Sequence, residues 1–173
     1  GLSSVTIPDS VTSIGDNAFE NCNGLNSITI PDGVTSIGNN AFKDCTSLTD
    51  IAVSSGNTFY SSIDGVVFNN AGDTLLIYPA GKSANSYDIP DGVTSIGTSA
   101  FNGCSGLTRV TIPDGMTRIG WNVFQGCTNL SSVIFNGDAP PLIDPDLFGN
   151  IDSVTVYYYE DATGFTSPTW QEI

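Results

Sequence analysis

The sequence predicts a mainly β solenoid, a stack of short coils of about 23 residues each. Two observations predict it. First, the segment Leu25–Ser47 recurs position for position at Leu2–Gly24 and Leu107–Asn129, and it recurs in part at Tyr87–Gly106. Second, the four cysteines fall at one position of this repeat. A fixed period of this size indicates stacked units, because one short unit cannot bury its own apolar face.

Each coil is predicted to contain two short strands separated by a turn. In the second coil, Ile28 and Ile30 flank Thr29, an alternation typical of a strand with one apolar face. The Pro-Asp-Gly sequence at 31–33 follows, and these three residue types favour a turn. The β-branched segment Val34–Ile37 then predicts the second strand.

The last part of each coil is predicted to be a turn or a short helical bend. After Gly38, the segment Asn39–Phe42 is expected to direct its last two residues and Cys45 into the core. We expect the cysteines to act as small apolar core residues. A bridge from Cys22 to Cys45 is not excluded by distance, since stacked strands lie about 4.8 Å apart. Zinc is disfavoured because the chain has neither histidine nor a CxxC motif.

The repeats resemble the BspA-like leucine-rich repeats of bacterial (and some protist) surface proteins. The motif LxxVTIPDGVTSIGxxAFxxC occurs, with few substitutions, at Leu2–Cys22, Leu25–Cys45 and Leu107–Cys127. The resemblance implies a right-handed leucine-rich repeat array in a secreted or cell-surface protein that binds host proteins, other cells or glycans. It brings no catalytic residues. It covers nearly the whole chain, which we interpret as a single domain, 1–173, belonging to a longer protein.

An insertion interrupts the third coil. Cys22 and Cys45 are one repeat apart, but the next cysteine, Cys104, follows only after more than two further repeat lengths. The Asp-Gly pair at 64–65 separates two short apolar runs and predicts a hairpin, which a third apolar run at Leu75–Tyr78 extends to a meander. We therefore predict an antiparallel β insertion within 54–86. It either carries a ligand site or packs on its neighbours.

The last coil departs from the pattern, and we interpret 130–173 as a degenerate coil followed by a C-terminal cap. The coil begins at Leu130, but two prolines at 140–141 replace the usual turn. Val154–Tyr159 predicts a strand, and Trp170 is expected to help close the array. Repeat arrays need such a divergent terminal unit to cover their last core edge. A tyrosine-rich binding patch is the alternative.

The candidate ligand-binding residues lie in the fifth coil. Arg109 and Arg118 replace serines of the other coils, and Trp121 replaces a polar residue. Arginine and tryptophan dominate binding hot spots, and an exposed tryptophan can stack on a sugar ring. The alternative is structural: Trp121 covers the insertion or the last coil, and the arginines relieve acidic crowding.

Charge and composition disfavour several classes of function. The chain has 18 acidic and 4 basic residues, a net charge of −14, which repels nucleic acid and anionic lipid. No apolar run approaches the roughly 20 residues of a membrane span. Without histidine, Ser-His-Asp triads and Cys-His dyads are excluded, so we expect no enzyme activity, cofactor or metal. Stacked aspartates remain weak calcium candidates; they are Asp9, Asp32, Asp91 and Asp114, with Asp144 and Asp146 as a second group.

The sequence therefore favours a non-catalytic recognition module, extracellular or on the cell surface and expected to be monomeric. Its partner would be a protein or a glycan. Two alternatives remain: a passive spacer that displays other domains, and an accessory module of a larger secreted enzyme.

Overall fold

The computed structural model describes residues 2–143, 146–149, 151 and 153–165. They form 14 β-strands and contain no helix, and hence none that could cross a membrane. The strands in chain order are β1 (Ser13–Ile14), β2 (Ser27–Ile30), β3 (Ser36–Ile37), β4 (Asp50–Val53), β5 (Tyr60–Ile63), β6 (Val66–Asn69), β7 (Thr74–Ile77), β8 (Ser86–Asp88), β9 (Ser95–Ile96), β10 (Arg109–Ile112), β11 (Arg118–Ile119), β12 (Ser132–Phe135), β13 (Leu142–Ile143) and β14 (Thr155–Tyr158). We number the coils one to six by their first residues, which are Leu2, Leu25, Leu48, Ala84, Leu107 and Leu130.

Strands at equivalent positions of successive coils pair in parallel. The first strands of the coils form the sheets β2–β4 and β8–β10–β12–β14, and the second strands form β1–β3 and the run β7–β9–β11–β13. In register, Arg109 lies between Ser86 and Ser132, which hold the same repeat position in the preceding and following coils. The predicted β solenoid, in which equivalent positions of the sequence repeat stack on one another, is confirmed.

The sequence predicts a turn or a short helical bend for the last part of each coil, and the structure shows turns. Asn17 and Asn21 have φ values of 56° and 59°, and Asn40 and Asp44 repeat them one coil later at 55° and 57°. A right-handed helix needs negative φ at consecutive residues, so a left-handed residue at every fourth position leaves a series of turns. Asn, Asp and Gly at these positions tolerate that conformation.

Backbone hydrogen bonds nevertheless join the turns of successive coils. The N–H of Phe19 donates to the carbonyl oxygen of Ala41 at 2.8 Å, and that of Phe101 donates to Val123 at 3.1 Å. The rings stack as well, with the centroids of Phe19 and Phe42 5.2 Å apart. Each of these turns therefore donates to the coil that follows it.

The insertion is the antiparallel meander β5–β6–β7, as predicted. Asp64 and Gly65 have φ values of 49° and 75° and form the two-residue turn between the paired residues Ile63 and Val66. Positive φ at both positions is what a type I′ hairpin turn requires. Strand β7 then pairs in parallel with β9 and returns the chain to the solenoid.

The insertion divides the buried core into two clusters. Phe42 belongs to the N-terminal cluster and Tyr78 to the C-terminal one. Strand β6 lies between them, because Val67 packs in the first cluster while Val66 and Phe68 pack in the second. The continuous core of a repeat array is thus interrupted at the third coil.

The four cysteines are free thiols on the core side of the coils. Cys22 is half-buried and the other three are buried. The Sγ of Cys45 donates to the carbonyl oxygen of Phe19 at 2.9 Å, and that of Cys127 donates to Phe101 at 3.1 Å. A cysteine at this position therefore supplies a hydrogen-bond donor to the preceding coil as well as apolar volume.

The sixth coil ends in aromatic stacking. The ring of Phe165 stacks on Tyr158 with centroids 4.4 Å apart and contacts Phe135 edge-on. The side chains of Tyr157, Tyr158 and Tyr159 remain 53%, 50% and 60% exposed. The predicted cap stays a prediction, and Trp170 lies outside the described residues.

Candidate functional site

A groove of about 350 Å³ opens beside the insertion, between the turns of the second and fourth coils. One wall is the segment 37–43, and the other is formed by 95–100 and Asn102. Between them lie Tyr60 and residues 76–78 of the insertion. The groove therefore sits at the interruption of the core.

The groove exists because the third coil, although it carries the insertion, has two residues fewer than the fourth coil between its second strand and the position of the repeated phenylalanine. Leu75 pairs with Ile96, which follows it by 21 residues, whereas a full repeat is 23 residues. Tyr78, however, stacks on Phe101, which follows it by a full repeat. The two residues missing between these points belong to the Gly-x-x-Ala turn of the other coils, so Leu76 and Ile77 replace a turn that would otherwise fill the gap.

The missing turn leaves backbone groups without partners. In the first coil, the N–H of Phe19 donates to Ala41 of the next coil. In the second coil, the N–H groups of Asn40 and Phe42 have no partner among the described residues. On the opposite wall, the carbonyl oxygen of Thr98 accepts no hydrogen bond from any of them. Among the described residues, the first wall thus keeps two unpaired backbone donors and the second wall an unpaired acceptor.

The charge of the groove differs from that of the protein. No acidic residue of the described part lines it, whereas two of the four basic residues, Lys43 and Arg118, do. Lys43 lies 3.3 Å from Glu20 and 3.9 Å from Asp44. These are the ion pairs of the described residues, so Arg118 has no acidic partner among them. The groove is a locally basic site on a protein of net charge −14.

Neutral polar side chains supply most of the remaining hydrogen-bonding capacity of the groove. They are Asn39, Asn40, Thr74, Ser95, Thr98, Ser99 and Asn102. Asn102 is already engaged, since its amide donates to Oε1 of Gln125 at 3.1 Å. Amides and hydroxyls of this kind fix the orientation of a bound ligand, and the described lining lacks the paired carboxylates of acid–base chemistry.

The structure separates the three predicted ligand-binding residues. Arg118 in β11 lines the groove. Trp121 follows β11 but is not part of the lining, and with 69% of its surface exposed it covers little of its neighbours. Arg109 lies in β10, which belongs to a different sheet. Only Arg118 of the three therefore joins the groove.

Sequence reasoning missed Asn57, which holds the insertion against the second coil. Its side chain is 6% exposed. Nδ2 donates to the carbonyl oxygens of Pro31 at 2.8 Å and Val34 at 2.9 Å, and Oδ1 accepts from the N–H groups of Phe59 at 2.8 Å and Tyr60 at 2.9 Å. The sequence did contain a signal for Asn57: it lies one full repeat after Val34, at a position where the other coils carry an apolar residue.

The aspartates considered as calcium ligands accept backbone hydrogen bonds. Oδ1 of Asp32 accepts from the N–H of Gly56 at 3.1 Å, and Oδ1 of Asp114 accepts from Gly115 at 2.7 Å. Within the described part of the chain, no three acidic or thiol side chains cluster closely enough to hold a metal ion. Asp144 lies outside that part.

A comparison with protein-family models finds one match across the repeats. The family described as BspA type leucine-rich repeat region matches residues 1–75 and 78–163, in six copies. No curated protein sequence matches the chain.

Several solved structures are similar to this fold, among them the following two. The pneumococcal vaccine antigen PcpA is 23% identical with a TM-score of 0.67, over 86% of this chain and 43% of that one. A leucine rich cell surface protein from Faecalibacterium prausnitzii A2-165 is 28% identical with a TM-score of 0.62, over 94% of this chain and 54% of that one. The chain thus spans about half the length of these proteins. With repeat copies matched over nearly its whole length, the chain belongs to the BspA-type leucine-rich repeat family.

Proposed function

We propose that the chain is a non-catalytic recognition module of a cell-surface or secreted protein, and that the groove beside the insertion is its ligand site. The observation that carries the proposal is the charge of the groove: its described lining has no acidic residue, although the protein has 18. Its volume of about 350 Å³ lies within the range of small ligand pockets, about 300–1,000 Å³. Arg118, without an acidic partner in the described residues, can bind an anionic group through two parallel hydrogen bonds.

The surface location is supported by one of the similar structures. The Faecalibacterium prausnitzii protein, 28% identical, is named as a leucine rich cell surface protein. The expected partner is a protein or a glycan, since a net charge of −14 disfavours nucleic acid and anionic membranes. The module is expected to act as a monomer.

A binding screen with three matched variants tests the proposal. The purified protein is screened against glycans and extracellular-matrix proteins by surface plasmon resonance. Leu76→Trp enlarges a half-buried side chain that lies between the two walls and so fills the groove, and Arg118→Glu reverses the charge of the arginine in its lining. Arg109→Glu makes the same charge change on a different sheet and serves as the control.

We expect a ligand whose affinity falls at least about tenfold in both groove variants and is retained in Arg109→Glu. Circular dichroism and thermal unfolding show whether each variant is folded. Binding that survives both groove changes but is lost in Arg109→Glu would move the site to the outer surface of the fifth coil. A folded protein that binds nothing would instead support the passive spacer.

A further inference from the structure

We infer that the groove takes an extended, acidic segment of a partner polypeptide, whose backbone pairs with the walls in place of the missing turn of the third coil. The inference rests on the proposed function, that the groove is a ligand site, and names the class of its ligand.

The first wall offers two backbone N–H donors to a ligand. The N–H groups of Asn40 and Phe42 stand two residues apart, and neither has a partner among the described residues. In the first coil the equivalent N–H of Phe19 points to the following coil, at 2.8 Å from the oxygen of Ala41. The donors of Asn40 and Phe42 therefore face the groove. Alternate carbonyl groups of an extended chain point to one side and match donors placed in this way.

The second wall offers a backbone acceptor. The carbonyl oxygen of Trp121 accepts the N–H of Ser99 at 2.8 Å, but the equivalent oxygen of Thr98 accepts nothing from the described residues. Tyr78 already occupies the neighbouring acceptor, Ala100, at 2.7 Å. A chain lying in the groove can accept from one wall and donate to the other, as a strand does between two strands.

Charge selects an acidic segment. No acidic residue of the described part lines the groove, so a segment that the net charge of the protein repels meets a locally basic surface there. Arg118 is the basic lining residue that no acidic side chain of the described part neutralises. Leu76 and Ile77 are half-buried in the groove and offer apolar contact to a neighbouring side chain of the ligand. We therefore expect a segment in which an acidic residue and an apolar residue lie close together.

A display selection tests the inference. A library of random dodecapeptides is selected on the wild-type protein after depletion on folded Leu76→Trp. We expect enriched peptides that are acidic and that bind Arg118→Glu at least tenfold more weakly. Arg109→Glu should bind them within twofold of wild type. Because the second wall accepts an N–H of the peptide backbone, N-methylation at one residue after another of a selected synthetic peptide should reveal a position at which binding is lost although the side chains are unchanged.

Amide hydrogen exchange adds a readout that a folding defect does not reproduce. In the free protein, the amides of Asn40 and Phe42 should exchange faster than that of Phe19, which is hydrogen-bonded to Ala41. The selected peptide should slow exchange at Asn40 and Phe42 and leave Phe19 unchanged.

Two results would overturn the inference. One is a selection that yields no peptide, or peptides without acidic bias that bind Leu76→Trp as well as they bind wild type. The other is a glycan that binds wild type but not Leu76→Trp, which would refute the polypeptide ligand but keep the proposed function. If peptides, glycans and matrix proteins all fail to bind the folded protein, both proposals fail.

Discussion

The ring of Tyr78 stacks on that of Phe101, with centroids 5.1 Å apart and planes 25° from parallel. The two residues are one full repeat apart, so Tyr78 occupies the phenylalanine position of the third coil. The repeat period therefore resumes as soon as the insertion ends. Tyrosine brings a hydroxyl group to this position, and that hydroxyl is buried with no hydrogen-bond partner among the described residues.

Tyr78→Phe is expected to stabilise the protein by about 1 kcal/mol, because it keeps the stacked ring and removes an unpaired buried hydroxyl. Burial raises the pKa of Tyr78 above its ordinary value, so the hydroxyl that the substitution removes is uncharged. Urea unfolding followed by circular dichroism measures the change.

Tyr60→Phe is the matched control for this prediction. The Tyr60 hydroxyl accepts the N–H of Ile37 at 3.1 Å and donates to the carbonyl oxygen of Thr35 at 3.4 Å. Its removal leaves a backbone N–H unpaired and is expected to cost about 1 kcal/mol. Destabilisation of similar size in both variants would show that the Tyr78 hydroxyl has a partner.

Asn57→Ala is expected to cost about 3 kcal/mol or more. The side chain makes four hydrogen bonds to backbone groups, each worth about 1 kcal/mol, and its loss leaves several of those groups buried without partners. Because Asn57 ties the insertion to the second coil, amide exchange should also accelerate in β5. Asn70→Ala, at an exposed position of the same insertion, is the control and should change stability by less than about 0.5 kcal/mol.

Much of the fold could be predicted from the sequence, because every coil repeats the same apolar and turn positions. The strands, their parallel order and the hairpin at 64–65 follow from local residue types. Of the two alternatives for the last part of each coil, the structure has the turn and not the short helical bend. Apolar spacing could not decide between them, because it does not report the left-handed φ values at Asn17 and Asn21. Asparagine and glycine recurring at those positions were the signal that favoured turns.

The groove could not be predicted, because it depends on where the extra residues of the third coil are accommodated. The sequence shows only that Cys45 and Cys104 are further apart than one repeat. The two-residue shortening between Leu75 and Tyr78 emerges from the pairing of β7 with β9. By contrast, the repeat alone could have shown that Arg109 and Arg118 lie in different sheets, because Arg109 belongs to the first strand of the coil and Arg118 to the second.

Gly120→Ala is expected to destabilise the array by about 1–3 kcal/mol, the usual cost of overpacking. A Cβ at Gly120 would lie 2.7 Å from the backbone nitrogen of Thr98 in the preceding coil, so the two coils would have to move apart. Gly15 occupies the same repeat position in the first coil, and a Cβ there would meet nothing within 4 Å. Gly15→Ala should therefore leave the urea midpoint nearly unchanged, and an equal loss in both variants would refute the steric explanation.

The thiols are expected to differ sharply in reactivity. Cys22 is half-buried, whereas Cys45, Cys104 and Cys127 are buried. Burial raises the pKa of Cys45 from 9.0 to about 11, and it raises the pKa of Cys104 as well. The thiolate is the nucleophile, so Cys45 and Cys104 stay protonated and unreactive at pH 8.

Reaction with DTNB at pH 8 should therefore label Cys22 rapidly in the folded protein, and the buried thiols only after unfolding in guanidinium. Cys22→Ala should remove the rapid phase. The raised pKa of Cys45 also predicts a pH dependence of stability: the contribution of the neutral thiol is complete below pH 9 and is lost as the pH rises towards 11. Rapid labelling of Cys45 in the folded protein, or stability that is constant from pH 9 to 11, would show that the thiol is less buried than the structure has it.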